Sequence, residues 1–149
     1  MLTTGRRVYH YHTGTMTRRA PLLEQIGPEE LIEVNPQDAK TLDVGDGDYI
    51  KVSTRRGEVV AKAWVTERVP PGVVFGTFHY WEAASNEETS ADNLDPYCGI
   101  PEFKISAARV TKSSIAEAQA SVMSKRQYYR EDVELAAIAE MRTHQRGQA

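Results

Sequence analysis

The chain has 149 residues, 40% of them hydrophobic, which is enough for one domain with a core and an appendage but too little for two independent domains. A formal net charge of -3 provides no overall positive field for nucleic acid, and the sequence holds no apolar run long enough to span a membrane. The lone cysteine, Cys98, excludes an internal disulfide, an iron-sulfur cluster held by this chain alone and a cysteine-rich zinc site. The N-terminus lacks the apolar stretch of a secretion signal, so we expect a cytoplasmic protein with no nucleic-acid or membrane partner.

The segment from Gly5 to Arg19 is dense in basic side chains, with four arginines and two histidines. If it is an extended strand, alternation places the following side chains on one face: Arg6, Val8, His10 and His12. The other face carries Arg7, Tyr9 and Tyr11. The turn Thr13-Gly14-Thr15 follows, and its hydroxyls and backbone N–H groups are of the kind that bind phosphate oxygens. The segment therefore predicts a site for a small anion.

Two other interpretations of this segment stay open. His10 and His12 on one strand face could form half of a metal site, but no third ligand stands at a diagnostic spacing. A surface strand with scattered basic residues is the other alternative. The density of charge favours anion binding over both.

The next elements alternate between short helices and strands. Pro21 to Ile26 is predicted to form a helical turn that ends at Gly27-Pro28, and Leu31 to Val34 reads as a strand. Asn35 is a typical helix cap, Pro36 suits the first helical position, and a helix to about Leu42 is expected. Alternating residues from Tyr49 predict a strand that reverses at Arg55-Arg56-Gly57.

The second half of the core continues the β pattern. The return strand would place Val59, Ala61, Ala63 and Val65 on one face. Further strands are predicted for Val73 to Phe78 and Phe103 to Val110, with irregular chain from Glu82 to Pro101. Short strands broken by turns, with few helices, predict a mainly β fold with minor α content, either a barrel or a sandwich.

The composition changes to helix formers after this core. We expect residues 1–111 to form the β domain and residues 112–149 to form a helical C-terminal extension. Ser114 and Glu117 fit a capping box. A break is expected near Gln127 to Asp132, followed by an apolar stripe formed by Val133, Ala136, Ala137 and Met141. This stripe would pack either on the chain's own β domain or on another chain.

Three blocks of sequence, in order and spacing, resemble one protein family. The blocks are HYHTGTMTRR, NPQDAKTLDVGDGDYIKVSTRRG and the PEFK segment before the last predicted strand. These blocks resemble the C-terminal domain of molybdopterin-dependent oxidoreductases, nearest to formate dehydrogenase alpha subunits. The resemblance also includes LTTGRRVY at the start of the chain and the apolar run VVFGTFHY. The resemblance covers residues 2 to about 111. It implies a double-psi β-barrel, of the aspartate decarboxylase type, that binds molybdopterin guanine dinucleotide.

The resemblance also implies which residues contact the cofactor. In the first block these are Gly5, Arg6, Arg7, Val8, His10, His12 and Thr13. In the later blocks they are Phe78, Asn86, Phe103 and Lys104. Arginine forks and turn amides suit a pyrophosphate, and an Asn carboxamide suits the amide and amine edges of pterin and guanine. Without the resemblance, Phe78 and Phe103 would be interpreted as core aromatics and Asn86 as a loop residue.

The chain departs from the family where the catalytic groups are expected. The iron-sulfur motif of the enzymes, their metal-ligating cysteine or selenocysteine, and the adjacent histidine and arginine have no counterpart in the sequence. We therefore expect no catalytic residues and no activity from the chain alone. It would be an excised domain or a separate subunit, and it would share a molybdenum or tungsten cofactor with a large iron-sulfur and molybdopterin partner. Cys98 is assigned no role.

Two alternative functions remain at this point. The chain could be the small molybdopterin-binding subunit of a formylmethanofuran dehydrogenase. It could also be a non-enzymatic double-psi barrel adaptor whose C-terminal helices dock on a partner.

Overall fold

A computed structural model describes residues 1–90, 92 and 94–127, and its main feature is one six-stranded sheet. The strands are β1 (Leu2–Gly5), β2 (Leu31–Val34), β3 (Tyr49–Ser53), β4 (Glu58–Val65), β5 (Val74–Thr77) and β6 (Arg109–Lys112). Their order in the sheet is β1-β5-β2-β4-β3-β6. The described helices are short apart from one, so the mainly β prediction is confirmed.

The sheet is mixed. β1 pairs with β5 and β2 pairs with β4 in parallel, whereas the β2/β5, β3/β4 and β3/β6 pairs are antiparallel. Leu2 also exchanges two backbone hydrogen bonds with Ser106, at 2.8 and 3.0 Å. The chain just before β6 therefore reaches the β1 edge, while β6 itself pairs at the opposite edge.

The helices begin where the sequence predicts. α1 covers Pro21–Ile26 and α2 covers Pro36–Thr41, and residues 115–127 form α3. The Asn35 side chain caps α2 by accepting from the Gln37 N–H at 2.9 Å, as predicted. Three 3-10 helices occur at Thr17–Arg19, Trp81–Ala83 and Ser85–Glu88. Within the described part of the chain, no helix has the length and apolar character needed to cross a bilayer.

The core lies on one face of the β3-β4 hairpin, which pairs from Tyr49 with Lys62 to Ser53 with Glu58. Period-two alternation explains it, because the hairpin residues that belong to the core cluster are Ile50, Val52, Val59, Ala61 and Ala63. Leu2, Ile32, Val34 and Val74 from the neighbouring strands complete the cluster with Ala39 of α2 and Val44. The sheet therefore positions the ends of β1 and β5 side by side, since Gly5 pairs with Thr77.

The predicted strand through Arg6 to His12 is wrong. β1 ends at Gly5, and the chain from Arg6 to His12 forms turns. The physical reason lies in a distant side chain, because the Arg7 backbone N–H is bound by the His79 ring instead of by a neighbouring strand. The shared face of Arg6, Val8, His10 and His12 therefore does not exist.

The predicted last strand, Phe103 to Val110, is also wrong over most of its length. Only Arg109–Lys112 is a strand, and it extends past the predicted end. Before it, Ser106 forms an isolated bridge with Leu2, and the pairing with β3 begins only at Arg109, so the two pairings do not form one continuous strand.

One further prediction holds only in part, and another lies almost wholly outside the described residues. The chain predicted as irregular from Glu82 to Pro101 contains part of one 3-10 helix and all of another. The expected break near Gln127 to Asp132 and the apolar stripe from Val133 to Met141 lie outside the described residues, except for Gln127.

Candidate functional site

A cavity of about 530 Å³ lies where the loop after β1, the segment after β5 and the loop before β6 meet. Six residues that the resemblance assigned to cofactor contact line it: Arg6, His12, Thr13, Phe78, Asn86 and Phe103. They come from three separate parts of the chain. The fold therefore brings together residues that are up to 97 positions apart in the sequence, from Arg6 to Phe103.

The Phe78 ring lines the cavity, and two cations from different chain segments, Arg6 and Lys104, lie near it. The Arg6 guanidinium carbon lies 5.6 Å from the ring centroid, and the Lys104 Nζ lies 5.8 Å from it. Lys104 is also 5.8 Å from the Phe103 ring and donates a 3.1 Å hydrogen bond to the Thr4 carbonyl. These distances are within the range of cation–π contacts. The arrangement combines aromatic faces with two fixed positive charges.

Hydroxyl groups complete the lining, and sequence reasoning did not identify them. They belong to Thr4, Ser85, Thr89 and Ser90, and Pro101 contributes an apolar edge. The signal was present in the run from Ser85 to Ser90, which follows the aromatic group and is rich in Ser and Thr. Each of these hydroxyls already donates to a protein group, namely the carbonyls of Phe103, Thr77 and Asn86 and the Asp92 carboxylate, so toward a ligand this side of the cavity offers acceptors.

His79 holds the loop that carries Arg6 and His12 into the cavity. It is fully buried; its Nε2 accepts from the Arg7 N–H at 2.8 Å, and its Nδ1 donates to the His12 carbonyl. These two bonds fix a neutral tautomer with the proton on Nδ1. Burial lowers the pKa of the imidazole, and the nearby positive groups lower it further, while the hydrogen bond to His12 opposes them. In the sequence, His79 is part of the aromatic run Phe78-His79-Tyr80-Trp81, and the sequence pattern gave it no role.

The predicted Thr13-Gly14-Thr15 turn is present beside the cavity. Gly14 has a φ of 74°, and a Cβ atom there would lie 2.8 Å from the His79 carbonyl oxygen, so only glycine fits. The Thr13 and Thr15 hydroxyls are 2.9 Å apart. His12 itself has a φ of 48°. The turn therefore packs on the His79 backbone, and Thr13 lines the cavity.

Five of the assigned residues are not among those that line this cavity, although one of them, Lys104, lies beside its Phe78 and Phe103 rings. Gly5 ends β1 against the Phe75 ring, and Val8 is 89% exposed. His10 is buried behind the loop, where its Nε2 donates to the Gly27 carbonyl at 2.7 Å and its Nδ1 lies 3.1 Å from the Thr17 hydroxyl. His10 therefore attaches the end of α1 to the loop.

Arg7 faces a second groove of about 570 Å³, which Arg6 also borders. Its guanidinium donates to the Leu31 carbonyl and lies 5.4 Å from the Trp64 ring centroid, with Arg68 at 5.1 Å from the same ring. Val8 lines this groove as well. The groove is thus an arginine-rich and aromatic surface that continues from the cavity past Arg6.

The last two arginines of the basic segment differ from each other. Arg18 forms ion pairs with Glu24 at 3.1 Å and Glu82 at 2.8 Å, and these carboxylates raise its pKa. Arg19 is exposed at the end of the 3-10 helix Thr17–Arg19. Arg18 is therefore a structural residue that links α1 to the segment after β5.

The described residues contain no group of three or more His, Cys, Asp and Glu side chains arranged to hold a metal ion. His10 is buried and His12 is exposed, so the two do not form half of such a site. Cys98 is exposed, with its Sγ 3.1 Å from an Asp95 carboxylate oxygen.

A protein-family model matches most of the chain. The family model described as "molydopterin dinucleotide binding domain" matches residues 1–107. The match includes every residue that was assigned to cofactor contact from the sequence.

Two formate dehydrogenase subunits are similar to about three quarters of the chain. The F420-dependent formate dehydrogenase subunit alpha of Methanocaldococcus jannaschii is 51% identical over 113 residues, which are 75% of this chain and 16% of that protein. The F420-dependent formate dehydrogenase 1 subunit alpha of Methanococcus maripaludis is 48% identical over 111 residues, which are 74% of this chain and 16% of that protein. The chain thus spans about a sixth of the length of these relatives.

Among solved structures, acetylene hydratase from Pelobacter acetylenicus is similar in fold. The TM-score is 0.67 at 20% sequence identity, over 75% of this chain and 18% of that chain. An identity this low bears on the fold alone.

Proposed function

Because the chain belongs to the molybdopterin dinucleotide binding domain family, we propose that its cavity between Arg6, Phe78 and Phe103 holds a molybdopterin guanine dinucleotide. The resemblance identified from the sequence is confirmed by the family match and by relatives at about 50% identity. The observation that carries the site assignment is the convergence of six assigned residues on one cavity.

The donor set of the cavity fits this cofactor. A pyrophosphate requires cations and N–H or O–H donors, which Arg6, Lys104 and Thr13 would supply. Pterin and guanine rings offer amide edges and flat faces, for which Asn86 and the Phe78 and Phe103 rings are suitable partners. The neighbouring groove, which Arg7 and Val8 line, would hold the part of the cofactor that extends past Arg6.

The residues of this chain would bind and orient the cofactor. When bound, the cofactor supplies a molybdenum or tungsten centre at which a substrate exchanges two electrons. Arg6 and Lys104 would neutralise phosphate charge, and the buried His79 would keep Arg6 and His12 in place. Their contribution is therefore retention and orientation of the cofactor.

We propose that the sheet closes into the double-psi β-barrel of this family. The hydrogen bonds between Leu2 and Ser106 support closure, because they join the β1 edge to the chain that leads into β6. The barrel would occupy residues 1–111 and the helical extension residues 112–149. β6 ends at Lys112, and the family match ends at residue 107.

We further propose that the chain works within a formate dehydrogenase that interconverts formate and carbon dioxide, with the catalytic residues on other domains or chains. The names of the relatives support this activity, and the match covers only about a sixth of their length, which supports a large partner region. That region would carry the iron-sulfur clusters and share the cofactor. The exposed Cys98 thiol suits the reducing cytoplasm in which we place the enzyme.

An apolar patch supports the existence of this partner. Leu22 and Ile26 lie four residues apart on α1 and are 68% and 49% exposed. Val8 and Tyr9 line the same groove as Ile26, and they are 89% and 42% exposed. Exposed apolar side chains of this kind are typical of a protein contact surface.

The proposed site is tested by the nucleotide content of the full protein purified anaerobically with its natural partner polypeptides. Replacing Arg6 with Ala removes a charged donor, so we expect the affinity for the dinucleotide to fall about 10- to 100-fold. Guanine nucleotide released by acid, per mole of chain, measures retention after extensive dialysis. Arg19→Ala is the matched control, because it removes an exposed arginine outside the cavity.

Two outcomes would count against the proposal. The wild-type protein could carry no guanine nucleotide, or Arg6→Ala and Phe78→Ala could both retain the wild-type amount. We expect instead that only the Arg19→Ala variant equals the wild type.

A non-enzymatic adaptor is the second candidate function. Ile115 and Met123 on α3 are 58% and 65% exposed, which favours a helix that docks on another protein. This function predicts that removal of residues 112–149 abolishes partner binding, whereas Arg6→Ala has no effect on any measured property. Loss of bound nucleotide in Arg6→Ala would exclude it.

A further inference from the structure

One wall of the cavity is the segment of residues 85–90, here called the wall segment. Ser85, Asn86, Thr89 and Ser90 face the cavity, and the 3-10 helix Ser85–Glu88 forms the first part of the segment. A second cleft of about 740 Å³ lies behind it, and Asn86 lines this cleft too. The wall segment is therefore a thin partition between the candidate site and α3, which borders the second cleft through Ser121 and Lys125.

α3 contacts the wall segment through a buried cation. Lys125 is 9% exposed, and its Nζ lies 3.1 Å from a carboxylate oxygen of Glu87. The separation is that of an ion pair, although the geometry is not that of a hydrogen bond. Because a buried ammonium is costly unless it is paired, this position is specific for a cation that faces an acidic partner.

The residue beside Glu87 strengthens this interpretation. Glu88 is 1% exposed, and its Oε1 has no hydrogen-bond partner among the described residues. Burial raises its pKa to about 8, and the Lys125 charge acts in the opposite direction. Lys125 therefore faces two carboxyl groups on the wall segment, one at its surface and one inside it.

Other contacts hold α3 and the wall segment in register. The Arg126 guanidinium lies 5.6 Å from the ring centroid of Trp81. Trp81 belongs to the 3-10 helix just before the wall segment. Near its start, α3 places Glu117 3.5 Å from Lys51 of β3. The helix is thus attached to the sheet at one end and to the region of the cavity wall at the other.

The hairpin turn supports the wall segment from another side. A Cβ atom at Gly57 would lie 2.8 Å from the Glu87 carbonyl oxygen, so the β3-β4 turn packs directly on this backbone. Arg56 donates to the Ser90 hydroxyl at 2.6 Å and to Asp92 at 2.7 Å. To these contacts α3 adds the ion pair between Lys125 and Glu87 of the wall segment.

We infer that α3 is a clasp for the wall segment and that Lys125 is a positioning residue for the candidate site, an inference that rests on the function proposed above. α3 lies beyond the residues matched by the family model, which end at 107. Its role here is to keep Ser85 and Asn86 at the cavity by fixing Glu87 and Glu88 from behind. Loosening the clasp raises the rate at which the cofactor is lost and leaves the sheet intact.

The first readout needs no cofactor. In the full protein without bound nucleotide, hydrogen exchange is followed at the Glu87 and Thr89 amides, which donate to the Ala84 and Asn86 carbonyls. We expect Lys125→Met to raise exchange at these amides about tenfold, since the ion pair of a buried ammonium is lost. Lys125→Arg restores the wild-type rate. Amides of the β3-β4 hairpin keep wild-type protection in all variants.

The second readout is the rate of nucleotide loss from the loaded protein. Lys125→Met raises this rate severalfold and Lys125→Arg returns it toward the wild-type value. Lys112→Met is the matched control, because Lys112 pairs with Asp43 and Asp48 away from the wall segment. Glu87→Gln is a second variant that removes the same ion pair from the other side, in case Lys125→Met does not fold.

The outcomes separate this inference from the proposed function. Unchanged exchange in both Lys125→Met and Glu87→Gln, or an equal rise throughout the protein, overturns the clasp. A local rise in exchange in a protein that never carries nucleotide supports the clasp and overturns the proposed function. A local rise together with faster nucleotide loss supports both.

Discussion

His79 shows how one buried side chain can organise the candidate site without reaching it. Its two ring nitrogens bond backbone groups of Arg7 and His12, at the two ends of the loop that carries cavity residues. Protonation would abolish the acceptor at Nε2 and leave the Arg7 N–H without a partner. Burial opposes that protonation by lowering the pKa of the ring.

This arrangement predicts a pH-dependent contribution to stability. The folded-state pKa of His79 is below its usual value, so between the two values the unfolded chain binds more protons than the folded one. The contribution of His79 is therefore complete above about pH 6.5 and declines as the pH falls below it, by at most about 1.4 kcal/mol per pH unit.

His79→Phe tests this prediction, because it keeps a ring and removes both hydrogen bonds. At pH 7.5 we expect the free energy of unfolding, measured with urea, to fall by about 1–3 kcal/mol. The difference from wild type should shrink between pH 6.5 and pH 5. His12→Asn is the control, since it removes an exposed imidazole at a position with positive φ that Asn tolerates. A difference that is constant with pH would contradict the role given to His79.

The residues of the site were predictable to different degrees. Arg6, Phe78 and Asn86 were assigned from the resemblance, and the cavity contains all three. The role of His79 depends on a contact across 72 positions, and no local pattern encodes such a contact. Lys125 was not identified either, because its burial depends on how α3 packs.

At the scale of elements, local rules worked where each element is stabilised by its own residues. α2 begins at Asn35 and Pro36 as predicted, and the β3-β4 hairpin has the predicted faces. The Arg6 to His12 segment has the same alternation as a strand but forms turns, because no partner strand continues beyond Thr77. Period-two alternation therefore predicts a strand only when a neighbour is present to pair with it.

The cap of α2 gives a prediction at this scale. Asn35 is buried, accepts from the Gln37 N–H at 2.9 Å and donates to the Val69 carbonyl at 2.8 Å. Asn35→Ala removes both bonds, so we expect the free energy of unfolding to fall by about 1–3 kcal/mol, with a lower Tm.

Gln37→Ala is the control for the cap, because it leaves the Gln37 backbone N–H and the Asn35 side chain in place. It should change stability by no more than about 0.5 kcal/mol. Thermal and urea unfolding of both variants, followed by circular dichroism, compare the two effects. Equal stability of the two variants would show that the Asn35 bonds do not matter for α2.

At the scale of the whole molecule, the sheet brings the candidate site together from three distant segments. The ends of β1 and β5 lie side by side, and the loop before β6 returns to Leu2 at the opposite sheet edge from β6. The mainly β class followed from the short predicted strands, which are broken by turns and have few helices among them. The strand order did not, because it depends on pairings between residues far apart in sequence.

We propose that the chain is a cofactor-holding part of a larger enzyme. Its cavity carries cations and aromatic rings, its apolar patch around α1 suits a protein partner, and it spans about a sixth of its relatives. Catalysis, in this account, takes place at a metal centre that the chain orients and that residues elsewhere complete.

The most direct test is an experimental structure of the full protein, purified anaerobically with its cofactor and partner polypeptides. We expect density for a molybdopterin guanine dinucleotide in the cavity, in contact with Phe78 and within hydrogen-bond distance of Arg6 and Asn86. A dinucleotide bound elsewhere, with this cavity filled by solvent, would contradict it.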